Sequence, residues 1–595
     1  MNRKFAFAAL LAALVLPVPA AGAQTPEAVK STFWVARGVA MQTRDGVKLR
    51  ADVYHPNRAG KFPVLLTRTP YDKNTQTYMG QMGAERGYIV VVQDVRGRYT
   101  SDGDWYPFKN EINDGYDTVE WAAALPQSDG RVAMYSGSYV GATQLLAAIS
   151  HPPHLVGICP IVTSSNYHES WTYQGGAFEQ WFNQSWTVGL AQDTANRIVK
   201  AHSDAMAGVN VLPLTGFPVF DLTHFPTSAN QTHVLAPYYE DWLKHPEYDD
   251  YWKQISIEEN FPNIRVPALF IGAWYDIFLG GSLNNYTGLR AHGGSAEARE
   301  KTQLMVVIGG HSGNARTVGE VDFGVDAPFD ESATILDWYD YLLYGKQNRF
   351  ASGNPVRIFV MGENRWREEK AWPLERAKAT RYYLHSDGKA NSSAGSGALS
   401  LQTPQQEKAD SYVYDPANPV PTTGGPLCCD PYHEPAGPRR QNAVEARPDV
   451  LVYSTAPLAA DVEVTGPVSL DLFAASSAVD TDFTAKLVDV AEDGTAINLT
   501  EGILRARYRE SKSTATLLDP GKPYELAVDL WATSNVFRKG HRIRLEVSSS
   551  NFPRFDRNLN TGQSAAASAE MVKATNHILH DAAHPSALVL PVVPR

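Results

Sequence analysis

The chain is 595 residues long, 43% hydrophobic and carries a net charge of -11, more apolar material than one ordinary domain uses, which predicts two or three domains. Its basic residues are scattered, which excludes the clustered positive surface that a nucleic acid partner requires. Three cysteines, Cys159 and the adjacent pair Cys428 and Cys429, exclude a disulfide framework; no His/Cys cluster has metal-ligand spacing, and no cofactor is implied.

The N-terminus places Arg3 and Lys4 before an apolar run over 5–16, followed by small residues ending Ala21-Gly22-Ala23. That layout predicts a secretory signal peptide over 1–23 and an exported, periplasmic or secreted protein. The run is shorter than the roughly 20 apolar residues of a spanning helix, and no later stretch is long enough, so no membrane span is expected. From about 45 to 165 short β-rich runs alternate with helical stretches. The strands fall at 63–67, 88–93, 131–135 and 155–162, with a helix at 114–125 behind Asp114, which can cap it. This is the pattern of a mostly parallel sheet flanked by helices.

Residues 167–261 are rich in Trp, Tyr, Phe, Asn and Gln, with helical stretches such as 238–244, and read as a helical insertion. Strands resume at 266–272 and 303–309, and a helix at 331–344 stops at Gly345. After Asn354 the pattern becomes period-2 in segments at 356–361, 468–473, 482–490, 524–530 and 543–548, which predicts an all-β sandwich or jelly roll. The stretch 385–410, rich in Ser, Gly, Ala, Gln and Lys, reads as a mobile loop or linker. The adjacent cysteines admit either a vicinal disulfide in an oxidising compartment or two thiols.

The segment Tyr135-Ser136-Gly137-Ser138-Tyr139-Val140-Gly141 runs a strand into small residues and then into a helix at 142–150. A nucleophile elbow needs that geometry, because the serine sits on a sharp turn and the amides that follow can hold an oxyanion. The usual spacing is Gly-x-Ser-x-Gly; here Ser136 precedes by two and Gly141 follows by three. In α/β-hydrolases an acid and then a histidine follow the serine, on loops after later strands. Asp276, in Ala273-Trp274-Tyr275-Asp276, follows one strand, and His311 follows another ending Ile308-Gly309-Gly310. His311 would take the Ser138 proton and return it to the leaving group, with Asp276 orienting the imidazole. His292 is the competing base, but it follows a helix rather than a strand. A lone Asp or His in a loop is usually a turn former; three in this order after three strands are not.

Several runs resemble the cocaine esterase and X-prolyl dipeptidyl peptidase family, which includes α-amino-acid ester hydrolases and glutaryl-cephalosporin acylases. They are Pro70-Tyr71-Asp72-Lys73, Gln93-Asp94-Val95-Arg96-Gly97-Arg98 with Ser101-Asp102-Gly103, Ser138-Tyr139-x-Gly141, Trp274-Tyr275-Asp276, Ile308-Gly309-Gly310-His311-Ser312, Gly540-His541-Arg542-Ile543-Arg544-Leu545 and Ser550-Asn551-Phe552-Pro553-Arg554. The resemblance covers nearly the whole mature chain. It implies an α/β-hydrolase sheet at 31–166 and 262–350, a helical cap at 167–261 and a C-terminal all-β jelly-roll domain at 351–595, in agreement with the patterns above. It also implies that Tyr71 supplies its hydroxyl to the oxyanion hole beside the Tyr139 backbone amide. The sequence departs from the family in carrying Ser136 where relatives usually have Gly, and in a His loop shorter than Gly-Pro-Trp-x-His. Arg96 and Asp94 read as a structural ion pair shaping the loop near the site.

Amino-acid ester hydrolases carry extra carboxylates after the triad Asp, whereas Ile277, Phe278 and Leu279 follow Asp276. An apolar wall cannot pair an ammonium, so an apolar or aromatic acyl group is expected, with Phe278 and the cap aromatics Trp171, Tyr173, Phe178 and Trp181 lining the pocket. The chain thus reads as a serine hydrolase of small-molecule esters or amides. An X-Pro dipeptidyl peptidase, with Glu169 or Glu179 holding a peptide N-terminus, and a non-catalytic glycan- or protein-binding protein are the alternatives. A homo-oligomeric state stays open.

Overall fold

The computed structural model describes residues 31–198, 209–216, 235–311 and 315–594; the signal peptide expected at 1–23 lies outside them. Among the described residues no helix is long and apolar enough to cross a membrane. The chain opens with two antiparallel strands that the sequence reading missed, β1 (Phe33–Gln42) and β2 (Lys48–Pro56). β2 buries Asp52 among its apolar residues, which hides the strand signal; Arg37 donates to that carboxylate at 2.9 Å.

The expected alternation follows: β3 (Phe62–Thr69), α1 (Thr77–Arg86), β4 (Ile89–Asp94), α2 (Glu111–Ala123), β5 (Ser128–Gly137), α3 (Tyr139–Ile149) and β6 (Leu155–Ile161). β4, β3, β5 and β6 are neighbouring parallel strands. Their residues are almost all buried, as strands covered on both faces must be. α2 starts earlier than expected. Asn110 is its N-cap, and Asp114 lies in the first turn, where Arg96 Nη2 donates to it at 2.7 Å. Asp114 is thus a buried ion-pair partner and not the cap.

Among its described residues the insertion contains a small hairpin, β7 (Tyr173–Gln174) and β8 (Ala177–Phe178), together with α4 (Gln180–Ile198) and the helix Pro237–Lys244. The sheet then resumes with β9 (Leu269–Ala273) and β10 (Gln303–Val307). After the short hairpin of β11 (Thr317–Val318) and β12 (Val321–Asp322), the helix Glu331–Tyr344 ends as expected at Gly345, whose φ of 66° is the left-handed cap. β13 (Val356–Val360) pairs parallel with β10 and antiparallel with β14 (Arg365–Glu369). Segment 356–361 was expected in the second domain; it is instead a strand of the first sheet, whose ten strands run β1-β2-β4-β3-β5-β6-β9-β10-β13-β14. The first sheet therefore continues to Glu369, past the boundary expected at 350. Burial on both faces gives β13 its apolar character, and nothing local says which sheet it joins.

The rest of the chain builds an eleven-stranded sheet without helical layers, around the long antiparallel pair Val462–Ser476 and Tyr524–Phe537. Stretch 385–410, expected as a mobile linker, is part of this fold. It contains the strand Ala398–Ser400 and leads into the strand Asp410–Tyr414. Its composition misled because a single carboxylate gathers it. Buried Asp410 accepts from Ser386 Oγ (2.7 Å), the Ala390 amide (2.8 Å) and Tyr453 Oη (2.8 Å), and meets His580 Nε2 at 2.9 Å.

Burial would lower the His580 pKa, but Asp410 and Glu407 outweigh it and hold it above 6.5. Burial would raise that of Asp410, yet the hydrogen bonds from His580 and Ser386 hold it below 3.8. A raised imidazole contributes fully below 6.5 and loses its contribution as pH rises through the folded value; a depressed carboxylate contributes fully above 3.8 and loses it on acidification. Asp410→Ala is therefore expected to cost about 3 kcal/mol at pH 5, and less at pH 9, in urea unfolding. A cost that does not change with pH would contradict the charged pair.

Candidate active site

Ser138 stands between β5 and α3 with φ 61° and ψ -133°, a conformation L residues rarely adopt. The turn is held by its amide donating to Ile161 O (2.9 Å) and by the Gly141 and Ala142 amides donating to Ser138 O (2.9 and 3.0 Å). Glycine is required at Gly141, where a Cβ would sit 2.9 Å from Thr163 Cβ. Ser136 also has a positive φ, 105°. It occupies the position usually taken by Gly with a glycine-like backbone, tethered by Gln144 Nε2 donating to its carbonyl at 2.8 Å.

Asp276 follows β9 and is wholly buried, while His311 follows β10, and the two strand ends are tied by the Tyr275 amide donating to Gly309 O at 2.9 Å. Trp274 Nε1 donates to Phe359 O (2.7 Å) and Tyr275 Oη to Asn498 O (3.1 Å), so both flanking rings anchor the Asp276 loop. The three expected side chains come together: His311 Nδ1 lies 2.8 Å from Asp276 Oδ1, and His311 Nε2 lies 2.9 Å from Ser138 Oγ. A hydroxyl joined to an imidazole whose far nitrogen meets a buried carboxylate can give up its proton as it attacks a carbonyl. His292 ends the helix Leu279–His292.

Tyr71 sits on the loop after β3. Its phenol oxygen is within hydrogen-bonding reach of the Ser138 side chain and the Tyr139 amide, and Trp186 Nε1 donates to it at 3.0 Å. Trp186 fills one acceptor position of that oxygen, and the phenolic proton stays available to donate. Burial raises the Tyr71 pKa above its usual 10, so the group stays a neutral donor. The loop is fixed by Arg98 Nε donating to Pro70 O (2.9 Å) and by the Lys73 amide donating to Asp94 Oδ1 (2.7 Å). Arg96 pairs with Asp114 and Asp45 rather than with Asp94; its role is structural, with different partners from those expected. Tyr139 offers only its amide, because its phenol donates to Glu111 Oε1 at 2.9 Å in the core.

Phe278 stands edge-on to His311 (5.1 Å between centroids) and stacks on Trp171 (4.4 Å, 10° between planes). Trp171 in turn meets Trp186 at 5.6 Å, and Phe182 meets Phe278 at 5.3 Å. Phe278 and Trp171 thus form a wholly buried aromatic stack that meets His311 through Phe278. Tyr173 does not join it: its ring stacks on His168 and its hydroxyl donates to Trp242 O at 2.8 Å. Phe178 packs on Tyr173 and Tyr239. Trp181 packs on Val209 and Leu427, away from the Phe278 wall. The residues missed are Trp186 and Phe182. Their spacing of four on α4 puts them on one helical face, which is the signal that was there to use. Glu169 lies 3.4 Å from Lys512 Nζ and Glu179 lies 3.6 Å from Arg554 Nη2, so each already faces a cation. The two cysteines are joined as the vicinal disulfide Cys428–Cys429, and Cys159 is buried.

This chain matches the model of the X-Pro dipeptidyl-peptidase S15 family over residues 45–313 and that of the X-Pro dipeptidyl-peptidase C-terminal non-catalytic domain over 348–589. It is 40% identical to cocaine esterase of Rhodococcus sp. (strain MB1 Bresler), covering 95% of this chain and all of that one. The chain belongs to the cocaine esterase and X-Pro dipeptidyl-peptidase family. Among solved structures it is similar to an aminopeptidase from a marine sediment archaeon, Thaumarchaeota archaeon (26% identity, TM-score 0.81, covering 96% of this chain and 98% of that one), and to an α-amino acid ester hydrolase (25%, TM-score 0.75, 97% and 100%). As a member of this family it is a serine hydrolase of ester or related acyl bonds.

The positive φ at Ser136 costs on the order of 1 kcal/mol that glycine would not incur. Ser136→Gly is expected to raise stability by about that much in chemical denaturation. A variant less stable than wild type would show that the side chain holds the elbow.

Proposed function

We propose that this chain is an exported serine esterase or acylase that cleaves carboxylic esters or amides through an acyl-enzyme, with an apolar or aromatic acyl group. The observation that carries this reading is the unbroken hydrogen-bonded path from Asp276 through His311 to Ser138. Ser138 Oγ attacks the carbonyl as its proton passes to His311 Nε2, and Asp276 stabilises the imidazolium. The Tyr71 hydroxyl and the Tyr139 amide receive the oxyanion; the carbonyl reforms as His311 hands the proton to the leaving group. Water then repeats the sequence on the acyl-enzyme.

The stacked Phe278 and Trp171 favour a flat apolar acyl group over an ammonium-bearing one. The X-Pro peptidase reading needs a carboxylate for the peptide N-terminus. Glu169 is held down to about 2, where burial alone would raise it, by Lys512 and His168. Burial pushes Glu179 up to about 7, which leaves it poorly suited to hold an ammonium. Export is supported by the leader at 1–23 and by the disulfide, which the cytosol would keep reduced.

A fluorophosphonate probe is expected to label the wild-type protein and not Ser138→Ala, and that variant should lose about 10^5-fold or more in kcat. An unlabelled wild-type protein would sink the enzyme reading in favour of a binding protein. Tyr71→Phe should lower kcat by about 100-fold with KM little changed; a rise in KM with kcat unchanged would remove Tyr71 from the oxyanion hole. In a panel of p-nitrophenyl benzoate, p-nitrophenyl acetate and Gly-Pro-p-nitroanilide, benzoate should lead, whereas preference for the anilide would establish the peptidase instead.

A further inference from the structure

Beside His311 lies a cavity of about 300 Å³ that the aromatic wall of Phe278 and Trp171 does not line. Gly310 and His311 face it from the loop after β10, and Leu427, Cys428, Cys429 and Ala436 face it from the β-rich domain. Cys428 is buried, Cys429 is exposed, and the two are joined in a disulfide. Linking neighbouring residues closes a small ring through their shared peptide bond, so neither side chain turns without the other. Cys429 has a φ of 79°, a conformation an unconstrained L residue leaves. The flanks are already fixed. Gly425 and Gly437 exchange backbone hydrogen bonds of 2.8 and 2.9 Å, and Leu427 packs on Trp181 and Val209. The disulfide therefore ties the exposed Cys429 to Cys428, which is packed in the core.

The chemistry decides which part of a substrate meets this wall. A general acid must lie beside the atom it protonates, and His311 Nε2 protonates the departing oxygen or nitrogen. The leaving group therefore needs open space next to His311; Phe278, also edge-on to that ring, is wholly buried, whereas the cavity is open there. We propose that the cavity beside His311 receives the leaving group and that the Cys428–Cys429 disulfide is its specificity-determining wall. The proposal rests on the reading of Ser138 as nucleophile. Opening the bond releases Cys429 from its positive φ and loosens discrimination among alcohols, with acyl selection unchanged. A dithiol does this in two exchanges. One thiolate attacks a cysteine sulfur and the other cysteine leaves as a thiolate; the second thiol of the reagent then displaces the first cysteine, giving two cysteine thiols and the cyclic disulfide of the reagent.

The test compares untreated protein, dithiothreitol-treated protein and the Cys428→Ser, Cys429→Ser double variant, with thiols counted by alkylation and mass spectrometry. One substrate series holds the acyl group constant (ethyl, phenyl and 2-naphthyl acetates); the other holds the alcohol constant (phenyl acetate and phenyl benzoate). Reduction should expose two new thiols and change the naphthyl-to-ethyl ratio of kcat/KM by about tenfold, the scale of a pocket contact, with the benzoate-to-acetate ratio unmoved. The proposal is overturned by an unchanged alcohol ratio once two thiols are counted, by a shift in the acyl ratio instead, or by free thiols at Cys428 and Cys429 in the untreated protein. Reduction of the wild-type protein keeps the test independent of whether the double variant folds. Fluorophosphonate labelling of the untreated protein is the control: its absence defeats the esterase reading itself, while labelling with a flat alcohol ratio counts against the wall alone.

Discussion

The backbone at Ser138 is the constraint from which the site follows. A residue with φ 61° and ψ -133° does not hold that shape by itself; it is held because β5 is locked between β3 and β6 and α3 is buried along its whole length. The turn sets Ser138 at the start of α3, where the proposed mechanism uses the first amide of that helix for the oxyanion. Strain of this kind, of order 1–3 kcal/mol, persists only where the surroundings over-determine it. Two details show that they do: Gly141 has no room for a Cβ, and Gln144 of α3 grips the Ser136 carbonyl.

The other members of the site come from places that converge because the strands are parallel. β9 and β10 end at the same edge as β5, so Asp276 and His311 arrive on adjacent loops. Each loop is then fixed from outside the first sheet. Tyr275 reaches Asn498 in the β-rich domain, and Gly310 packs close to Ala436. The insertion supplies Trp171 and Trp186, the second of which pins the Tyr71 phenol. The β-rich domain therefore anchors the loops that carry Asp276 and His311.

Much of this was legible in the sequence, and what was not has physical reasons. Parallel strands buried on both faces and an elbow of small residues leave strong local signals, so β3 to β6, Ser138, Asp276 and His311 could be read directly. β13 was legible as a strand but not as a member of the first sheet, because sheet membership is a long-range property. The stretch at 385–410 looked like a linker since polar composition conceals a fold organised around one buried carboxylate, Asp410. Cap aromatics could not be sorted by composition. Trp171 stacks on Phe278, which meets His311, whereas Tyr173 and Trp181 pack elsewhere, and only their contacts distinguish them. Tyr71 was placed by family likeness, since a tyrosine at a strand end carries no local mark of its role.

The central claim, that Ser138 is the acylated nucleophile, is tested most directly by trapping the intermediate. The protein is mixed with excess p-nitrophenyl benzoate, quenched in acid within the first turnover, digested and mapped by mass spectrometry. The account predicts a burst of nitrophenolate matching the enzyme concentration and one benzoyl adduct, on Ser138. A burst with the benzoyl group on another residue, or turnover of the ester with no adduct when deacylation is rate-limiting, would contradict it.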